Sequence, residues 1–457
     1  MIVSLSLANF RSFFVEETFS LAASNRLGGS HDDHAVSIPN SDRKVLRAGV
    51  IYGANGAGKS NIFKALRYVK SIALGRPEKE KGTSRTPFRL GGSSDDPSSF
   101  DLQFIAADRL YRFGFKADDF RITEEWLAEV INGREKTLYE RMTSADGEVT
   151  VSAPGLKGTG EKLSALAKVG GPQNQSFLAT VNLTLNRTDY GEHLESVLTW
   201  FKESLRLIGP EVPFGRLGKY LTDNPACVDF AGFFLKSVST GVDHLQVTKK
   251  EITEDELRSL LPESFVSHIL QSVSDDTAGK TVVPLGDGSE LLIERSSGDR
   301  FYRISVRAAH HNQAGAIVPF ELGDESDGTR RLLNLLPALY RLHIDESVFF
   351  IDELDRSLHP NLVWEFMHFF LQSINRSRAQ VIVTTHESSL LDLDLLRRDE
   401  IWFAEKDSKS ATRLYALTDF NVRKDLEIRK HYLSGRFGAV PFLGDVERLL
   451  AEAVHTS

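Results

Sequence analysis

The sequence predicts an α/β fold with a mixed sheet, interrupted by an inserted, mainly helical subdomain. Three observations carry that expectation. Short apolar strands alternate with amphipathic helices in the first and last thirds of the chain. A glycine-rich turn, GANGAGKS at Gly53–Ser60, stands between one such strand and a helix. From about Lys157 to about Ser274 the pattern turns helical. A chain of 457 residues can hold two or three domains with cores of their own. The expected borders are 1–150 for the N-terminal part of the α/β head, 151–280 for the insert and 281–457 for the C-terminal part.

Ile2, Leu5, Leu7 and Phe10 approximate a two-residue alternation and predict a first strand. ETFSLAAS predicts a second and KVLRAGVIYG a buried third. After the glycine-rich turn, Ile62, Phe63, Leu66, Val69 and Ile72 share one helical face. The polar run GRPEKEKGTSRTPFRLGGSSDDPSS reads as a long loop. FDLQFIA, LYRFGFKA and RITEEWLAEVI then read as antiparallel strands. In the insert, HLESVLTWFKESLRLIG places Leu194, Val197, Leu198, Phe201 and Leu205 on one helical face, and Pro262 breaks a second helical run. SELLIERSSGDRFYRISVRAAHH predicts a hairpin turning at Ser297–Gly298. The last third alternates again: a helix after LGDESDG, the strand SVFFIDE, a helix through LVWEFMHFFLQSI, then the strands QVIVTTHE and EIWFAEKD.

Composition narrows the class. Apolar residues make up 41% and charged residues 26%, as in ordinary globular proteins. A net charge of -8 gives no global footprint for nucleic acid. No apolar run reaches the roughly 18 residues that a membrane span needs. MIVSLSLANFRSF lacks the basic start and apolar core of a signal peptide, so a cytoplasmic location is expected. Cys227 is the sole cysteine, which excludes an internal disulfide and any multi-cysteine metal site.

GANGAGKS fits G-x-x-x-x-G-K-S, a loop whose backbone N–H groups cradle phosphates at a helix N-terminus. The residues expected to hold a nucleotide are Gly53, Asn55, Gly56, Gly58, Lys59, Ser60 and Asn61. Lys59 would neutralise the β/γ-phosphates and Ser60 would ligate Mg2+. SVFFIDE ends in Asp352, placed to bind the Mg2+ shell, and Glu353, placed to orient or deprotonate an attacking water. About thirty residues later VIVTTHES brings His386 to the end of what should be the neighbouring strand, facing the γ-phosphate. ATP with Mg2+ is therefore the expected ligand, and the expected activity is its hydrolysis. Asp355 follows as a candidate subunit-contact residue near the nucleotide.

Ser326 sits at an N-cap position, and Gly328 permits close backbone approach. Ser326 lies about two dozen residues before Asp352. The order of phosphate loop, insert, Ser-x-Gly helix, Asp-Glu strand and histidine strand resembles ABC-type ATPase heads. That resemblance implies a head-to-tail dimer or higher homo-oligomer, in which Ser326 and Gly328 contact ATP held by another copy. Asp327 and Thr329 depart from the family's Gly and Gln. Gln103 in FDLQF is a candidate for the family's Q-loop glutamine. LANFRSF looks like the start of RecF, SMC and OLD-type heads, which implies that Arg11 lies by the nucleotide.

ESDGTRRLLNLLPAL, LLDLDLLRRDEIWFAEKD and NVRKDLEIRKHYLSGRFGAVPFL resemble stand-alone AAA-type ATPases of bacterial abortive-infection and anti-phage systems, RloA-like or AriA-like. The implied function is a sensor or switch that controls a separately encoded nuclease effector. The alternative is a RecF/SMC-like ATPase of DNA repair or recombination that binds DNA itself; a third reading is a binding module with a degenerate site. Only about seventy residues follow His386, too few for a Toprim nuclease domain, so no intrinsic nuclease is expected. Asp392 and Asp394, the run HDDH at His31–His34, and His310 with His311 carry ligand-type side chains but read first as loop or strand-edge residues. No membrane partner is expected.

Overall fold

The computed structural model describes the chain except for residues 28, 30, 76–81, 92–94, 157–159, 211–215, 273–278, 286–287, 296–299, 374–377, 423–426 and 441–457. β1 (Ile2–Ala8) and β2 (Glu17–Ser20) pair antiparallel, and β3 (Ala35–Ser37) with β4 (Lys44–Leu46) forms a small ribbon. The expected third strand is split at Arg47 into β4 and β5 (Ala48–Tyr52), the latter buried throughout. α1 (Lys59–Leu74) follows the glycine-rich turn and buries the predicted face, Ile62, Phe63, Leu66, Val69 and Ile72. Removing each of these side chains from water contributes about 1.5–3 kcal/mol, which fixes the helix against the sheet behind it.

β6 (Ser98–Ala106), β7 (Arg109–Ala117), β8 (Ile122–Ile131), β9 (Arg134–Thr143) and β10 (Val149–Ser152) continue antiparallel from β1, giving the order β10-β9-β8-β7-β6-β1-β2. α2 (Glu161–Val169), α3 (Phe177–Thr184) and α4 (Glu192–Thr199) contribute Leu163, Phe177, Leu178, Leu194, Val197 and Leu198 to the same core as α1 and β6. The helix predicted through Leu205 stops earlier. After α4 a wide turn at Trp200–Ser204 leads into β11 (Leu205–Ile208), so Leu205 packs as a strand residue.

α5 (Leu217–Asp223) and α6 (Pro225–Ser237) come next, then β12 (His244–Ile252), α7 (Glu254–Leu260) and α8 (Glu263–Ser272), with the break at Pro262 as expected. β11 and β12 therefore interrupt the stretch expected to be helical. β13 (Gly279–Pro284), β14 (Glu290–Arg295), β15 (Arg300–His311) and β16 (Ile317–Glu321) complete an antiparallel sheet in which β12 pairs with β15 along its whole length. β14 and β15 form the predicted hairpin, whose turn at Ser297–Gly298 lies outside the described residues. α9 (Asp327–Ile344) runs on through Pro337.

β17 (Val348–Ile351), α10 (Pro360–Ser373), β18 (Gln380–Thr384), β19 (Ile401–Lys406), β20 (Thr412–Ala416) and α11 (Ile428–Leu433) end the described chain. The second main sheet has the order β11-β17-β18-β5-β19-β20. The pairs β17/β18, β18/β5 and β5/β19 are parallel, and β19/β20 is antiparallel. The fold is thus α/β with a mixed sheet, as the sequence predicts.

Two compact units result. The first comprises Met1–Leu207, Asp345–Leu354 and Met367–Ser457, and the second Ile208–Ile344 with Asp355–Phe366. These borders differ from those expected at 150 and 280. α2–α4 bury their apolar faces in the first unit's core, and the second unit carries the five-stranded sheet and α9. Among the described residues no helix is long and apolar enough to cross a membrane.

Candidate nucleotide-binding site

The first unit gathers the phosphate loop, Asp352, Glu353 and His386 at the C-terminal ends of the parallel strands β5, β17 and β18. Open parallel sheets place ligands at that edge. β5 ends at Tyr52, and the chain turns through Gly53 into α1. A Cβ on Gly53 would stand 2.5 Å from the carbonyl oxygen of Ala404 on β19. Gly58 has φ +111°, and a Cβ there would stand 2.2 Å from Oγ1 of Thr412. No L side chain fits either place, so both glycines are dictated by close packing. Gly56 has φ +78° with open space around it, and Asn55 beside it is exposed.

Nζ of Lys59 donates to the carbonyl oxygens of Gly53 at 2.7 Å and Ala54 at 3.3 Å, and reaches Nε2 of His386 at 3.0 Å. An ammonium has no acceptor lone pair, so His386 Nε2 accepts and the ring is in the Nδ1–H form. Lys59 is buried and His386 exposed, which puts this contact at the mouth of the loop. His386 lies just beyond β18, the strand that neighbours β17, as the sequence predicts.

The loop is braced from behind. Asn61 donates through Nδ2 to Oγ of Ser12 at 2.7 Å, and Thr412 donates through Oγ1 to Ala57 O at 2.7 Å with Ser12 Oγ 2.8 Å away. Ser60 is half-buried at the start of α1. Arg11 takes φ +53°, its N–H donates to Thr86 O at 2.7 Å, and its guanidinium lies 5.5 Å from the Phe10 ring centre. Burial and the nearby Arg67 lower its pKa. The resemblance placed Arg11 by the nucleotide; its chain neighbour Ser12 is the residue that touches the loop's bracing.

Asp352 is buried and accepts at Oδ1 from the hydroxyl of Thr384 at 2.6 Å. The same Thr384 oxygen accepts from the backbone N–H of Glu353 at 2.8 Å. Glu353 has φ +50°, a left-handed conformation costly for a residue with a Cβ. Neither Thr384, Ser12 nor Thr412 stands out in the sequence. The one signal for the first is a threonine pair just before His386. Gln103 sits on β6 in alternation with Phe100, Leu102 and Phe104, which are buried, and the ring of Tyr68 of α1 lies 5.2 Å from that of Phe100. Gln103 therefore faces away from α1, because a strand alternates sides.

In the second unit, Ser326 caps α9 by accepting from the N–H of Thr329 at 3.1 Å, and its hydroxyl lies 2.9 Å from that of Thr329. Ser326 and Asp327 are exposed. A Cβ on Gly328 would stand 2.9 Å from Ser357 O, so this glycine allows the Asp355–Ser357 turn to approach α9. Asp355 is half-buried, and its carbonyl accepts from Leu358 N at 3.1 Å.

The other ligand-type residues have local duties. His34 is buried with Nδ1 3.1 Å from both carboxylate oxygens of Glu400, whose pKa burial raises. Asp392 accepts from Asp394 N at 2.9 Å, a turn contact. His310 pairs with Glu325 at 2.6 Å, and His311 lies 3.2 Å from Gly315 O.

Residues 50–392 match the family described as "AAA domain, putative AbiEii toxin, Type IV TA system". That match spans most of the chain. The chain belongs to this family. It is thus an AAA-type P-loop ATPase domain, a class that binds nucleotide. No curated protein matches it. Similar solved structures include the SMC head domain from Thermotoga maritima, at 14% identity and TM-score 0.35, covering 91% of this chain and 98% of that one. Another is the SmcHead bound to the C-winged helix domain of ScpA, at 15% identity and TM-score 0.36, covering 91% and 97%.

Proposed function

We propose that the chain binds and hydrolyses ATP with Mg2+ as an ABC-type switch. The observation that carries this reading is the meeting of Lys59, His386 and the Thr384-held Asp352–Glu353 pair at one edge of a parallel sheet. The residues fit the ligand. Glycines at 53 and 58 let the backbone close tightly, and the buried Asp352 carboxylate and the Ser60 hydroxyl at the start of α1 are the hard oxygen donors that Mg2+ prefers. Asp352 and Ser60 would hold Mg2+, which would supply positive charge to offset that of the phosphates. Gly53, Asn55, Gly56, Gly58 and Asn61 shape the loop, and Lys59 offers its ammonium to the phosphates.

Glu353 accepts a proton from water as that water's oxygen bonds to the γ-phosphorus. The bond from γ-phosphorus to the bridging oxygen breaks, giving ADP and phosphate. His386 orients the γ-phosphate. Ser326 and Gly328 serve the ATP of a second copy, with Asp355 at the subunit contact and Arg11 beside the nucleotide. The exposed N-terminus of α9 supports this, since its dipole and N–H groups favour an anion.

The cycle would hold or release a separately encoded toxic effector, a nuclease, during anti-phage defence in the cytoplasm. The toxin and toxin–antitoxin wording of the family description supports a defence role. ATPase assays of the wild type, Lys59→Ala and Glu353→Gln test the enzymatic part. Glu353→Gln should bind ATP normally and turn over about 10²–10⁴-fold more slowly, the range for losing a general base. Normal turnover by that variant would remove Glu353 from the mechanism.

A further inference from the structure

We propose that Thr384 is the positioning residue that sets Asp352 for the divalent cation and Glu353 for water; this rests on the ATPase reading above. The β17/β18 ladder ends at the pair Ile351–Val383. Beyond it, the hydroxyl of Thr384 replaces the ladder. Its single proton goes to Asp352 Oδ1 at 2.6 Å, and its oxygen accepts from Glu353 N at 2.8 Å. The backbone carbonyl of Thr384 also accepts from Leu354 N at 3.0 Å. One residue thus holds three consecutive residues of the acidic turn.

On its other side Thr384, the last residue of β18, borders the phosphate-loop strand β5. It pairs with Ile51 of β5, and Thr385 N donates to Ile51 O at 3.1 Å, two residues before Gly53. Thr384 is fully buried, so it makes these bonds without competition from water. Two consequences follow for the acidic pair. The rotation of the Asp352 carboxylate is fixed by a bond to one named oxygen. Glu353, with φ +50°, keeps its left-handed backbone because its N–H has a buried acceptor. A hydroxyl on the strand beside a metal-binding carboxylate tunes cation affinity rather than phosphate-loop binding.

Calorimetric titration with ATP in EDTA and with ATP plus Mg2+ tests this. Wild type, Thr384→Ser and Thr384→Val should bind ATP alike in EDTA. Mg2+ should strengthen binding in the wild type and in Thr384→Ser. Thr384→Val should lose about tenfold or more of that gain, as for outer partners of metal ligands. A full Mg2+ gain in Thr384→Val overturns the proposal. A wild type that binds no ATP under either condition overturns the ATPase reading instead. Hydrogen exchange of the wild type without ATP gives a second test that no variant's folding can spoil. The Glu353 amide should be protected, and exchange at the rate of an unstructured amide overturns the assignment.

Discussion

Nζ of Lys59 lies 3.0 Å from Nε2 of His386, so the ammonium of the glycine-rich loop and the histidine just beyond β18 hold each other. Lys59→Ala should weaken ATP binding roughly 10–100-fold, the effect of losing a hydrogen bond between charged groups. His386→Ala should leave binding within a few-fold and slow turnover. Titration calorimetry beside a phosphate-release assay separates the two. Equal losses of affinity in both variants would show that His386 acts on binding alone.

Gly58 and Gly56 both have positive φ but differ in surroundings. Gly58→Ala puts a methyl 2.2 Å from Oγ1 of Thr412 and 2.8 Å from Oγ of Ser12, so the loop or its brace must move. Gly56→Ala meets nothing within 4 Å and carries only the backbone cost of about 1–2 kcal/mol. The shift in melting temperature on adding ATP should vanish for Gly58→Ala and persist for Gly56→Ala. The opposite order would mean that the brace is not what the glycine serves.

Ser326→Asp separates capping from assembly. Aspartate caps as well as serine, so α9 should stay folded and the melting temperature nearly unchanged. Its negative charge should repel a γ-phosphate presented by another copy. Sedimentation with ATP and Glu353→Gln as background should show association, and the added Ser326→Asp should abolish it. Association that survives the aspartate would confine Ser326 to its cap.

His193 offers a pH handle away from the nucleotide. Its Nδ1 lies 3.1 Å from both Arg109 Nη1 and Tyr111 Oη, and burial outweighs the pull of Glu129 to lower its pKa below 6.5. The unfolded chain takes up the proton first as pH falls. Stability from this group is therefore complete above the unfolded value and declines as pH drops through about 6.5 toward the folded value. His193→Gln should flatten the melting temperature across that window. An unchanged slope would place the pH sensitivity elsewhere.

The fold class and the site's main members could be read from sequence because each is a short-range signal. Gly53–Ser60 carries its own turn geometry, and SVFFIDE and QVIVTTHE are apolar strands ending in polar residues. The adjacency of SVFFIDE and QVIVTTHE also follows, since successive strands tend to neighbour one another. Long-range pairing was not legible. β12, with its run of charged residues, looks solvated alone and becomes a strand only by pairing with β15. Leu205 fits a helical face but is claimed by the sheet through β11. Ser12 and Thr412 are ordinary hydroxyl residues until the fold brings them within 2.8 Å.

β18 stands between β5 and β17 in the sheet. Neighbouring strands lie about 4.8 Å apart, so the strand that ends in the phosphate loop and the strand that ends in Asp352 and Glu353 are roughly 10 Å apart. The spacing is set by ladder hydrogen bonds and not by any loop, which makes β18 a rigid gauge. A ligand gripped at Gly58 is measured by how far its phosphate chain extends across that width. On the proposed ATPase reading, the quantity such a site would read is length, so removing one phosphate would change the reading while leaving the grip intact.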